Sequence, residues 1–219
     1  MKARPFLLYL FFFFFSLSAN AVNISVQHHC FLSEDRPFVE LDFHIPSDAI
    51  SYQKIDSTTY QGQVELTILF YQEERVVQYD KILLKGPVTK VPLSFLDVKR
   101  YHLPKGKYKY EITASDPLGE KDSTIIAKEF ELDFASNTLS QSSIQLLSKA
   151  EKALENTQAF VKNGIFMEPL VDKIYYHPLN ELIFYHEIYH AEQSLQDAFA
   201  VRYSISKKGE EIISAYKRQ

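Results

Sequence analysis

The sequence predicts a mainly β protein: tandem β-sandwich modules of immunoglobulin-like architecture, the second incomplete, behind an N-terminal signal peptide. Three observations predict it. Apolar and polar residues alternate at period two through much of residues 36–134. Turn chemistry falls between those runs. An apolar leader precedes them and ends in small residues at Ala19 and Ala21.

Residues 1–21 (MKARPFLLYLFFFFFSLSANA) place Lys2 and Arg4 ahead of an apolar run from Phe6 to Phe15. Charge, apolar core and small residues in that order make a secretory signal. The run is shorter than the ~20 residues a membrane span needs. The mature chain, from Val22, is therefore expected to lack a transmembrane span. It is expected to be exported, to the periplasm or to the extracellular face of the cell envelope.

The first module covers residues 22–137. Val39, Leu41, Phe43 and Ile45 alternate with Glu40, Asp42 and His44. Val64, Leu66, Ile68 and Phe70 repeat the pattern, then Tyr108, Tyr110, Ile112 and Ala114, then Phe130, Leu132 and Phe134. Such alternation buries one face of an antiparallel sheet and wets the other. Lys85-Gly86-Pro87, Pro104-Lys105-Gly106 and Asp116-Pro117-Leu118-Gly119 supply the turns. Strands so spaced suit a sandwich of about 100 residues. The chain has no Trp and one Cys, so antibody-type core features are missing.

The polar stretch 135–143 (ASNTLSQSS) marks the boundary to a second module, 138–219. Residues 144–156 (IQLLSKAEKALEN) are rich in helix formers and locally read as helix. Asn163-Gly164, between Phe160-Val161 and Ile165-Phe166, signals a hairpin. Residues 182–190, 198–206 and 211–218 are candidate strands, with Lys207-Lys208-Gly209 turning into the last.

Composition excludes several functions. The 24 basic and 28 acidic residues give a net charge of −4; without Lys2 and Arg4 the count is 22 against 28, or −6. A nucleic-acid binder usually carries a basic face, so no nucleic-acid partner is expected. The six glycines are widely scattered, which removes dinucleotide and P-loop fingerprints and the nucleophile elbow. A single Cys30 removes internal disulfides and CxxC zinc sites. His28, His29 and Cys30 form a short tract that is weak evidence for a metal. Cys30 itself is expected to be buried and inert. Lys99, Arg100, Lys105, Lys107 and Lys109 are expected to be a solvated hairpin. Tyr108, Tyr110, Tyr175, Tyr176, Tyr185 and Tyr189 read as sheet-packing aromatics, with a sugar-stacking surface as the alternative.

One motif points to catalysis. His186-Glu187-Ile188-Tyr189-His190 matches H-E-x-x-H, and Glu210 follows at the spacing of a third ligand. The alternative function is therefore a secreted zinc metallopeptidase, with His186, His190 and Glu210 on zinc and Glu187 as base. It requires a helix: on a strand, residues four apart lie ~13 Å apart at ~3.3 Å per residue. Zn–N bonds are only ~2.1 Å, so such a pair cannot share one ion. The aromatic and β-branched run of 183–189 favours a strand, and the match is read as chance.

Several phrases resemble the N-terminal part of GWxTD-domain envelope proteins of Bacteroidetes-type bacteria. They are FVELDFHI (38–45), YQGQV (60–64), RYHLPKGKYKYEITASD (100–116), SIQL (143–146), FVKNG (160–164) with Pro169, and LIFYHEIY (182–189). The resemblance implies that Glu187 and Tyr189 sit on a strand and that residues 144–147 are extended. It implies no catalytic residue and no cofactor. The Gly-Trp-x-Thr-Asp domain that names the family has no counterpart here. The expectation is a non-enzymatic exported envelope protein with no metal or cofactor site. It would bind an envelope protein or glycan, or pair with its own copy, through an exposed strand edge.

Overall fold

The structure is a computed structural model that describes residues 21–134, 137–154, 159–174, 181–195 and 198–206. Residues 1–20 of the predicted leader, Tyr175, Tyr176, Glu210 and the predicted strand 211–218 with its turn lie outside the described residues. The described chain is mainly antiparallel strand, with one short helix. Among the described residues no helix is long and apolar enough to cross a membrane.

Two sheets enclose the main core. One is three-stranded, β1 (Ser25–Ser33), β2 (Arg36–Ile45) and β6 (Phe95–His102), in the order β1-β2-β6. The other has β3 (Tyr52–Lys54), β4 (Tyr60–Gln72), β7 (Gly106–Ser115) and β8 (Thr124–Leu132) in the order β3-β4-β7-β8. β5 (Arg75–Lys85) pairs with β4 beside β3. The inward residues are those the period-two pattern names. Val39, Leu41 and Phe43 from one sheet and Val64, Leu66, Ile68, Tyr110 and Ile112 from the other are fully buried in one cluster.

β1 is an addition to the sequence-based picture. Val22, Ile24 and Val26 are buried at period two, so β1 and the residues that lead into it belong to the core. Cys30 is buried in the same cluster. Burial pushes its thiol up to about 11, as expected of an inert cysteine. β1 and β2 are joined by Glu34-Asp35, both at positive φ (48° and 59°). That is the backbone a two-residue hairpin turn demands. β5 is also additional. It is an edge strand, and among the described residues it pairs with no strand but β4.

The C-terminal strands form two further sheets. β10 (Gln145–Lys152), β11 (Val161–Lys162), β12 (Ile165–Pro169) and β13 (Ile183–Tyr185) run in the order β11-β12-β10-β13, and β9 (Ser140–Gln141) pairs with β14 (Ile188–Tyr189). The Asn163-Gly164 turn is present, with φ of 50° and 74°. Two expectations are corrected. Residues 144–154, the described part of 144–156, are not helical: β10 pairs on one side with β12 and on the other with β13. Those two neighbours outweigh local helix propensity, which is a weak preference. Residues 198–206 form no strand; they keep their alternation, with Phe199 exposed, but gain only a single bridge at Tyr203. A period-two pattern becomes a strand only where a neighbouring edge takes its hydrogen bonds.

Candidate functional site

The three-stranded sheet is buried on both faces. Val39, Leu41, Phe43 and Ile45 of β2 face the core, so Phe38, Glu40, Asp42 and His44 face the other way. That second face is covered by the C-terminal strands. Glu40 and Asp42 are each only 1% exposed, and a buried charge needs partners.

The partners come from four elements. Arg100 lies opposite Glu40 in the β2–β6 register, and its Nε donates to Glu40 Oε2 at 2.6 Å. His29 Nδ1 of β1 is 3.0 Å from Asp42 Oδ2. Gln145 of β10 donates through Nε2 to Glu40 Oε1 at 2.9 Å and to Asp42 Oδ2 at 2.8 Å. Lys162 of β11 donates through Nζ to Glu40 Oε1 at 2.9 Å and to Gln145 Oε1 at 2.8 Å. The Asn163-Gly164 turn sets Lys162 at the end of its strand. There its Nζ sits 3.8 Å from the centre of the Phe31 ring and 4.9 Å from that of Tyr185. His44 adds a contact to Asp172 at 2.7 Å.

Electrostatics follow from this geometry. Burial favours the neutral amine and holds Lys162 below the ordinary lysine value, against the pull of Glu40. Burial alone would raise the Glu40 carboxyl, but the Lys162 and Arg100 charges prevail and hold it below the ordinary carboxylate value. Asp42 Oδ1 is buried without a partner. It borders a cavity of about 10 Å³ lined by Glu40, Arg100, Gln145, Lys162 and neighbours. That is about the space of one water molecule.

The H-E-x-x-H segment is built otherwise than a zinc site. β13 ends at Tyr185 and β14 begins at Ile188, so no helix runs through His186 and Glu187. The only described helix, α1 (Ala191–Ser194), starts after His190. Tyr185 and Tyr189 both donate their hydroxyls to the Glu187 carboxylate. Burial first, and the Glu187 bonds next, raise both phenols. Asn163 Nδ2 donates to Tyr185 Oη at 2.7 Å, and Leu32 N–H donates to Tyr189 Oη at 3.0 Å. His186 reaches Gln141 Oε1 (3.2 Å) and Tyr203 Oη (3.3 Å), whereas His190 lies 3.4 Å from Asp35. The two histidines thus serve different neighbours. Among the described residues no cluster of three His, Cys, Asp or Glu suits a metal. His28 and His29 alternate to opposite faces of β1, so their tract with Cys30 does not converge: His28 packs on Tyr110 and Phe130.

The remaining candidates separate likewise. Tyr108 and Tyr110 are buried and present no stacking surface, while the half-buried Tyr185 and Tyr189 hold Glu187. Lys105 is solvated, with an exposed partner in Asp133. Arg100 departs from the expected solvated hairpin because Glu40 takes it. The buried cluster itself was hidden in the sequence. Glu40 and Asp42 read as the wet face of β2, and nothing local marks Gln145 or Lys162 as its cover.

Comparison of the chain with protein-family models, with curated proteins and with solved structures gives no match.

Proposed function

We propose that this chain is an exported, non-enzymatic binding module of a bacterial envelope, of tandem immunoglobulin-like design, which captures an extended segment of a partner protein along β5. The observation that carries it is the free edge of β5. The strand is eleven residues long and one edge is open among the described residues. Such an edge is a template for strand addition. Val77, Tyr79 and Leu83 are exposed on it, ready for the apolar side chains of an added strand.

Charge selects the occupant. β5 carries Arg75, Lys81 and Lys85 on exposed positions, Lys81 beside Glu65 of β4 at 2.9 Å, and its one acid, Asp80, is engaged by the Tyr101 hydroxyl at 2.8 Å. An acidic, apolar segment complements that edge. A second copy complements it poorly in two registers. Antiparallel pairing of two β5 strands centred on Asp80 sets Asp80 against Asp80 and Arg75 against Lys85. Centring on Lys81 sets lysine against lysine, and like charges directly opposite destabilise a pair. Export is supported by the leader, and the envelope address by the likeness to GWxTD-domain proteins.

The test is amide hydrogen exchange on the mature chain with a synthetic extended peptide of alternating Glu and Val. Slowed exchange along residues 75–85, with binding weakened about tenfold by Lys81→Glu, is the expected outcome. No protection on β5, or a stable dimer without peptide, would overturn the proposal.

A further inference from the structure

A buried ion pair needs only two charges. The cluster beneath β10 and β11 holds an amine, a carboxamide and a carboxylate in mutual contact. Lys162 Nζ is 2.8 Å from Gln145 Oε1 and 2.9 Å from Glu40 Oε1. The same Glu40 oxygen accepts a hydrogen bond from Gln145 Nε2 at 2.9 Å. One carboxylate oxygen therefore touches both the nitrogen that would attack the amide and the nitrogen that would leave it. Asp42 Oδ2, 2.8 Å from Nε2, fixes the amide plane. With a C=O bond of ~1.2 Å, the Gln145 carbonyl carbon is within about 4 Å of the amine. That is close to the ~3–3.5 Å of a reactive approach.

We propose that Lys162 and Gln145 form an intramolecular amide cross-link, with Glu40 carrying the protons. The Lys162 ammonium passes a proton to Glu40 Oε1. The neutral Nζ adds to the Gln145 Cδ. Glu40 delivers that proton to Nε2, and the Cδ–Nε2 bond breaks with ammonia as the leaving group. Nζ gives up its second proton by the same route to the departed ammonia, so a Nζ–Cδ amide remains and the nitrogen leaves as ammonium. Glu40 ends as it began, a carboxylate paired with Arg100. No oxidant, metal or co-reactant is needed.

The surroundings suit the step. The Phe31 and Tyr185 rings screen Nζ from solvent. Burial favours the uncharged nucleophile. The adjoining cavity has room for about one water, which limits competing hydrolysis. The link closes the stretch from β10 to β11 covalently under the sheet that covers β2. It is independent of what β5 binds.

The experiment is mass spectrometry of the purified mature chain after prolonged incubation at neutral pH, beside Lys162→Arg, which keeps the positive charge. The expected result is a wild-type mass lower by one ammonia. Tryptic cleavage at Lys162 is lost, and the Lys162 and Gln145 peptides are found joined. The variant keeps its full mass. Asn163-Gly164 can also shed ammonia by closing on its own backbone, but that product stays within one linear peptide and persists in the variant. Finding only that product overturns the proposal. So does unmodified Lys162 and Gln145, or a free glutamate at 145. The wild-type peptide map decides the matter even if the variant folds poorly.

Discussion

Glu40→Gln removes one charge from the buried cluster while nearly preserving side-chain shape. The Glu40 carboxylate accepts from two cations, Arg100 at 2.6 Å and Lys162 at 2.9 Å, and from the Gln145 amide. Removing one partner of a buried ion pair typically costs about 3–5 kcal/mol. The glutamine retains one acceptor oxygen, so the lower end applies, about 3 kcal/mol. With a urea m-value of about 2 kcal/mol/M, the unfolding midpoint falls by about 1.5 M at constant m. The control is Asp133→Asn, which breaks the pair with Lys105, both side chains being more than half exposed. That pair is worth at most about 1 kcal/mol. The chain has no Trp, so far-UV circular dichroism follows the transition. pH provides a second axis. The folded Glu40 value lies below the unfolded one, so its contribution is full above about 4.5 and is lost as pH falls through the folded value. The gap between wild type and Glu40→Gln therefore narrows in acid. Equal midpoints for the two variants at neutral pH would refute the reasoning, as would a gap that widens on acidification.

Other outcomes follow from single sites. Gly164→Ala should cost about 1 kcal/mol from backbone strain alone, since its φ is +74° and no atom crowds the new Cβ. Gly119→Ala should lower the melting temperature more, because its Cβ meets Ser51 Oγ and lies 2.6 Å from Asp116 Oδ2. Cys30 should resist thiol reagents at pH 8 in the folded chain and react once urea unfolds it. His28 is held down to about 4, by burial first and then by His29, Lys128 and Lys173. The unfolded chain thus takes up that proton first, and stability falls as pH drops from 6.5 towards 4; the loss shrinks in His28→Gln, read by urea titration. One equivalent of zinc should leave the melting temperature of the chain, and of His190→Ala, unchanged.

The sandwich was legible because burial there follows a rule local to each strand. Leu66 and Ile68 point inward wherever β4 is placed, and Asn163-Gly164 turns the chain whatever surrounds it. Local propensity misread β10, whose strand state depends on β12 and β13 as neighbours; only the family resemblance implied an extended start at 144–147. Glu40 and Asp42 failed for a related reason. Alternation says they leave one core but not that a second layer covers them. The H-E-x-x-H match shows the converse, since the motif fixes residue types while zinc chemistry depends on the backbone that carries them. Glu187 ends up between two tyrosines on its own segment, a relation of neighbours two apart that the motif does not contain.

The contact between Lys162 and Glu40 spans 122 positions of sequence. A chain made at about 5–20 residues per second thus carries Glu40 and Asp42 for on the order of ten seconds before their cover exists. In that interval the sheet of β1, β2 and β6 can close its inner face while its outer face remains hydrated. The acidic residues keep that nascent face soluble and repel its pairing with other unfinished copies. The charges that later lock the covering strands down thus first act as a guard against premature association.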